Sequence, residues 1–170
     1  MIKRKCIICD IDNVLLNTQF ILDEIHELGL KGEDKWEYFY KNCNGDKVEV
    51  IEETKKYIDT IDNSLCYIKK NYIDGFESYK MIEQGKFVII FSTARNEKCR
   101  VATEDKLWDE GIRWDYLYMR KQDDLRPPHE VKREHLLQIM EEFDVIAFID
   151  DDLQNCEMAK SLGVLALRRV

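Results

Sequence analysis

Lys5-Cys6-Ile7-Ile8-Cys9-Asp10-Ile11-Asp12-Asn13-Val14 decides how the rest of the chain is read. Residues 6–9 are apolar without polar alternation, the pattern of a strand buried on both faces of a parallel sheet. Two carboxylates follow where that strand ends. Runs of the same character recur at 87–91, 145–149 and 164–167, with a weaker candidate at 116–119. Helix signals separate the later runs. Residues 96–110 end at Gly111, residues 130–143 carry Leu136, Ile139, Met140 and Phe143 at helical spacing, and residues 153–162 end at Gly163 with Cys156 and Ala159 facing inward. Strand and helix alternate from about residue 75 onward, which predicts an α/β fold with a parallel sheet.

Residues 17–74 break this rhythm, because they separate the first strand from the next by far more than a crossover needs. Their patterns are helical. Ile21, Ile25 and Leu28 share one face; Ile51, Ile58, Ile61, Leu65 and Ile68 follow another stripe; Trp36, Tyr38, Phe39 and Tyr40 crowd a third segment. The expectation is a small helical cap inserted after the first strand, its aromatic residues serving as core in preference to a stacking platform. The core domain then comprises residues 1–16 and 75–170, with Asp74-Gly75 marking the return to it.

Composition narrows the class. The chain has 170 residues, 45% apolar and 35% charged, with seven glycines and two prolines, a globular mixture sized for one domain with an insertion. No apolar run approaches the roughly 18 residues of a membrane span, and residues 6–9 are too short for a secretory core, so the expected location is the cytoplasm. Six cysteines scattered among apolar residues suit a reducing compartment. Cys6-x-x-Cys9 has no second pair beside it and lies on a buried strand, so a structural role is expected. A net charge of −8 argues against broad adhesion to a polyanion, though a short nucleic-acid end gripped locally is compatible with it. Some negative charge is expected wherever carboxylates gather around a cation. His26, His129 and His135 read as surface or helix residues without a role.

Four features fall at the ends of predicted strands, where open α/β sheets gather their ligands. Asp10 and Asp12, two residues apart at a strand end, point the same way and can divide attack and proton transfer between them. Thr93-Ala94-Arg95 offers a hydroxyl, a backbone amide and a guanidinium fork to phosphoryl oxygens. Lys132, preceded by Arg126, opens a helix after Pro127-Pro128. Asp150-Asp151-Asp152 places three acids at a strand end, which is costly unless a cation or donors compensate, although Asp152 is equally suited to cap the following helix.

The order Asp-x-Asp, Thr, Lys, Asp-Asp resembles the four motifs of the haloacid dehalogenase superfamily. Within it, residues 93–170 are similar to the 3′-phosphatase domain of phage polynucleotide kinases, through Thr93-x-Arg95, Trp108, Met119-Arg120, Arg126, Lys132 and Asp150-Asp151. Pro128 stands where those phosphatases carry an acid, and Asn13-Val14 replaces the usual small residues. The resemblance implies a Rossmann-like core and a magnesium-dependent phosphomonoesterase. Asp10 would be the nucleophile that carries the phosphoryl group, and Asp12 the acid and then the base. Thr93, Ala94, Arg95, Arg126 and Lys132 would bind phosphate. Asp10, Asp12, Asp150 and Asp151 would hold Mg²⁺. The implied substrate is a nucleotide or the 3′-phosphate end of a polynucleotide, with a sugar-phosphate phosphatase or mutase as an alternative. A signalling receiver is a rival from another class, disfavoured by the large insertion and by Ser92-Thr93 where receivers carry their phosphorylated Asp, and a silent binding protein is a third reading, disfavoured by the intact acids.

Overall fold

The computed structural model describes residues 1–62, 65–68, 76–77, 81–84 and 87–170; over 60–86 the description is of the backbone alone. The chain runs β1 (Arg4–Cys9), β2 (Leu16–Asn17), α1 (Gln19–Glu27), α2 (Gly32–Asn42), β3 (Glu49–Val50), α3 (Glu52–Asp62), β4 (Leu65–Ile68), β5 (Phe76–Glu77) and β6 (Met81–Gln84). It continues through β7 (Val88–Asn96), α4 (Arg100–Asp109), β8 (Tyr116–Arg120), α5 (Pro128–Glu142), β9 (Phe143–Asp150), α6 (Leu153–Ser161) and β10 (Ala166–Arg169).

The main sheet has the order β5-β10-β9-β1-β7-β8. Its last five strands pair in parallel and only β5 is antiparallel, on the β10 edge. The expected parallel α/β core is therefore present, with β1 central in it. Because side chains alternate across a strand, β1 feeds both layers. Ile7 and Cys9 join Ile89, Phe91, Ala147 and Ile149 under α1 to α4, whereas Cys6 and Ile8 join Val88, Ile90 and Phe148 against Leu136, Ile139, Cys156 and Ala159 of α5 and α6. The same alternation sends Cys6 and Cys9 to opposite faces, so this CxxC cannot converge on one metal. Burial also pushes the Cys6 thiol up to about 12.

Between β1 and β7 the helical reading holds for α1, α2 and α3 and fails beyond them. The stripe through Ile61, Leu65 and Ile68 is not one helix: α3 ends at Asp62, and Leu65–Ile68 is β4, paired antiparallel with β6. The sequence Leu-Cys-Tyr-Ile suits a pleated strand better than a helix continuation. Asp74-Gly75, read as the return point, lies outside the described residues. The helices α1 and α2 enter and leave through a short ladder, Leu16 opposite Val50 and Asn17 opposite Glu49. The Ile51 amide donates to Leu15 O at 2.8 Å and the buried Thr54 hydroxyl to Val14 O at 2.5 Å, so α3 is fastened to the segment just after β1. Of the aromatic residues of α2, Phe39 is buried in the layer that holds Ile7 and Cys9 and Tyr38 and Tyr40 pack half-buried against it, whereas Trp36 is exposed.

His135 is buried, contrary to its reading as a residue without a role. Its Nε2–H donates to Met119 O at 3.2 Å, which leaves Nδ1 to accept from the Ser92 hydroxyl at 2.9 Å, so one ring ties α5 to β7 and β8. Burial pulls its pKa down to about 4, with the Met119 carbonyl opposing and Lys132 reinforcing. A depressed histidine favours folding above its unfolded value near 6.5, and that stability is lost as pH falls from there towards 4. Urea unfolding at pH 7 and pH 5 should show the wild type losing about 2 kcal/mol more than His135→Gln over that interval. Equal losses in the two proteins would contradict the assignment.

Candidate active site

Asp10 leaves the carboxyl end of β1 with its amide donating to Ile149 O at 2.9 Å, which holds it beside the end of β9. The chain then turns tightly, the amides of Leu15 and Leu16 both donating to Ile11 O at 2.9 Å. Asn13 takes φ 58° in this turn. Asparagine is among the few residues that tolerate the left-handed region, and its Oδ1 here accepts from the Thr18 amide at 3.2 Å. The pairing of β7 with β8 shifts register between Ser92 and Asn96, which releases Thr93, Ala94 and Arg95 from the ladder at the sheet's end. Arg120 holds the released stretch, its Nε donating to Ala94 O at 3.0 Å.

Lys132, 2% exposed in the second turn of α5, is the hinge of the constellation. Its Nζ lies 2.9 Å from Asp10 Oδ2 and 2.6 Å from Asp150 Oδ2. The other oxygen of Asp150 accepts from the Asp152 amide and from Asn155 Nδ2, each at 3.0 Å. Asp152 itself caps α6, accepting from the Asn155 amide at 3.0 Å. Its sequence-level alternative as a cap is thus the role it takes.

Asp10, Asp150 and Asp151 each bring one carboxylate oxygen within 4.8 Å of the others. Fully ionised, three carboxylates against one ammonium would leave two negative charges uncompensated in a place where Asp10 and Asp150 are almost sealed from water. Burial, opposed by Lys132 and reinforced by Asp150, holds the Asp10 carboxyl well above the usual range. Burial and Asp150 push Asp151 up to about 6. Burial also works against the Lys132 ammonium, but the attraction of Asp10 and Asp150 outweighs it and keeps the group charged. The donor set, three carboxylates, fits a divalent cation that prefers hard oxygen ligands, and such an ion would offset this charge.

Arg95 departs from its expected place on phosphate. Its guanidinium is 1% exposed and forks onto Asp12, Nε to Oδ2 at 2.9 Å and Nη2 to Oδ1 at 2.7 Å. The remaining N–H groups go to Cys43 O at 3.0 Å, Asn44 Oδ1 at 2.5 Å and Thr103 Oγ1 at 3.2 Å. All five donors are spent on protein acceptors, so Arg95 positions Asp12 and ties it to the end of α2. Arg126 is likewise elsewhere. It is paired with Asp124 and Glu134, each at 2.6 Å, on the wall of a separate cavity of about 150 Å³ that none of the carboxylate cluster lines. Thr93 is buried near the cluster's strand ends, its Oγ1 accepting from the Arg95 amide at 3.1 Å. Asn44, Asn155 and His135 escaped the sequence reading, since single amides and a helical histidine carry no spacing signal.

Replacing Arg95 by Met leaves Asp12 without its fork and three acceptors without donors. Urea unfolding should show a loss of about 3 kcal/mol. A loss below about 0.5 kcal/mol, the range of an inconsequential surface change, would show that the fork does not hold Asp12 in solution.

With this geometry in place, a model of the polynucleotide kinase PNKP phosphatase domain matches residues 59–168. No curated protein matches the chain. Among solved structures, a Pnkp1/Rnl/Hen1 complex aligns over 98% of this chain and 46% of that chain with TM-score 0.68 and 20% identity. A class C acid phosphatase from Bacillus anthracis with tungstate bound aligns over 91% of this chain and 54% of its own with TM-score 0.60 and 15% identity. A haloacid dehalogenase-like hydrolase from Streptococcus pneumoniae aligns over 97% of this chain and 83% of its own with TM-score 0.61 and 10% identity. These identities establish the shared fold. The chain spans less than half the length of the first of these structures. Among the described residues no helix is long and apolar enough to cross a membrane.

Proposed function

The chain belongs to the polynucleotide kinase PNKP phosphatase domain family and is a phosphatase of the haloacid dehalogenase type, and from that premise we propose that it removes phosphate from the 3′ ends of polynucleotides with Mg²⁺ bound. The observation that carries the reading is the buried group of Asp10, Asp150 and Asp151 held by Lys132, at the strand ends of a chain whose family match runs through the last three of the four motifs.

Asp10 and the acids of the 150–151 pair would hold Mg²⁺, with the Asp12 backbone carbonyl as a further oxygen donor, and such an ion would supply positive charge against the repulsion between carboxylates and phosphate. Asp10 attacks phosphorus in line, the bond to the departing 3′ oxygen breaks, and the phosphoryl group passes to the Asp10 carboxylate. Asp12, oriented by Arg95 but with its side chain 20% exposed, delivers a proton to the departing oxygen. In the second half Asp12 takes a proton from water, which displaces phosphate from Asp10. Lys132 and Thr93 stabilise charge on the transferring group, a contribution of several kcal/mol when donors are preorganised. Arg95 and Arg126 are left out of phosphate binding in this account, because their guanidinium groups are committed to Asp12 and to Asp124 and Glu134.

Phosphate release from 3′-phosphorylated oligonucleotides, 3′- and 5′-nucleotides and sugar phosphates tests the reading. Turnover should require the metal, vanish in excess chelator and be abolished by Asp10→Asn. Asp12→Asn should lower kcat by about 10²- to 10⁴-fold. The 3′-phosphorylated oligonucleotides should lead the panel, and a preference for 5′-nucleotides would favour a nucleotidase instead, a reading that the net charge of −8 supports.

A further inference from the structure

We propose that Arg168 and Arg169 form a second anion site beside the reacting centre, which takes the phosphodiester one nucleotide inward from a 3′-phosphorylated end. The inference rests on the end-processing reading above and deepens it, since it selects a polynucleotide over a mononucleotide. A cavity of about 340 Å³ is lined by Asn13, Asn17, Gln19, Asp151, Arg168 and Arg169, together with two apolar residues. Asn13 follows Asp12 directly, and Asp151 belongs to the carboxylate cluster, so the cavity shares a wall with the reacting centre. Asp10, Asp12, Thr93, Lys132 and Asp150 do not line it, which makes it an adjoining compartment.

Both arginines stand at the carboxyl end of β10, on the side of the sheet's ends where α/β folds gather ligands. Each is anchored through a backbone carbonyl. Arg168 Nε donates to Asp151 O at 3.1 Å and Arg169 Nη1 to Asn13 O at 3.2 Å. Among the residues whose side chains are described, neither guanidinium has a carboxylate partner; Glu77, opposite Arg168 in the β5–β10 pairing, is described by its backbone alone. Arg169 Nε is buried with no hydrogen-bond partner. A buried donor left unpaired is costly, and an anion held in the cavity would satisfy it. A planar fork fixed at one corner is already oriented to give its other N–H groups to phosphate oxygens. Asn13, Asn17 and Gln19 line the same cavity, with Asn13 Nδ2 donating to Gln19 Oε1 at 3.4 Å and Gln19 Nε2 to Asp23 Oδ1 at 3.0 Å.

This local pair of positive charges runs against a net charge of −8, so it cannot be read as part of a generally basic surface. The phosphoryl group under attack has its own place against Asp10 and Lys132. A second anion held next door suits a substrate with phosphoryl groups on both the 3′ and the 5′ oxygen of its terminal nucleoside. A 3′-phosphorylated strand has that arrangement, and a 3′-mononucleotide without a 5′ phosphate does not.

The direct test compares wild-type protein with Mg²⁺ on a 3′-phosphorylated dinucleotide, the same dinucleotide with a neutral methylphosphonate linkage, and the 3′-mononucleotide. The charged dinucleotide should exceed the mononucleotide about ten-fold or more in kcat/KM, the scale of one charge-assisted contact, and the neutral linkage should erase that gain. In Arg169→Gln the ratio of dinucleotide to mononucleotide should collapse towards one, and Arg169→Lys should restore part of it. Equal turnover of charged and neutral linkages by the wild type overturns the second site while leaving the 3′-phosphatase reading intact. Absence of turnover on every 3′-phosphate, with hydrolysis of some other phosphomonoester, overturns the reading and the site with it.

Discussion

The contact on which the rest depends is the ammonium of Lys132 set between the carboxylates of Asp10 and Asp150. Without it, two acids almost excluded from water would face each other across the ends of neighbouring parallel strands. Taking an isolated carboxylate out of water costs several kcal/mol, and no packing of apolar neighbours offsets that. The fold tolerates the arrangement because α5 delivers the lysine, while the Asp152 amide and Asn155 satisfy the far oxygen of Asp150. The compensation is deliberately incomplete in charge. Asp151 adds a third acid, and the two charges that the fully ionised group would leave over are what a divalent ion would cancel.

A second constraint fixes Asp12. Its fork with Arg95 spans 83 positions in sequence and is itself backed by Cys43 O and Asn44 at the end of α2. Orientation of the Asp12 carboxylate, the group proposed to transfer the proton, thus depends on the helices between β1 and β7 as well as on the sheet. A change in the α2–β3 connection would be felt at Asp12 through one rigid guanidinium.

The sheet was legible in the sequence because buried parallel strands leave unmistakable apolar runs, and residues 6–9, 87–91, 145–149 and 164–167 all fall on or beside strands of it. The acids and Lys132 were legible through their order along the chain, since strand ends of one sheet meet in space whatever the length between them. Arg95 was not. A sequence shows that a guanidinium is present but not which acceptor it meets, and its partners come from Asp12, α2 and α4. His135 was missed because a histidine on a helix gives no sign of which side it faces. Residues 65–68 were misread because an apolar residue at every third or fourth position continues a helical stripe by coincidence, and strand pairing with Met81–Gln84 decides otherwise. Arg126 shares a sequence neighbourhood with Lys132, yet carboxylates at Asp124 and Glu134 hold it on the surface.

The central claim is that the Asp10, Asp150 and Asp151 group is a divalent-cation site whose charge deficit the ion closes. Calorimetric titration of the full chain with Mg²⁺, alongside thermal unfolding with and without the ion, measures this most directly. The account predicts one site, a melting temperature that rises with Mg²⁺ concentration as binding to the folded state requires, and loss of both effects in Asp150→Asn. A folded protein that binds no divalent cation, or whose melting temperature is indifferent to it, would contradict the account.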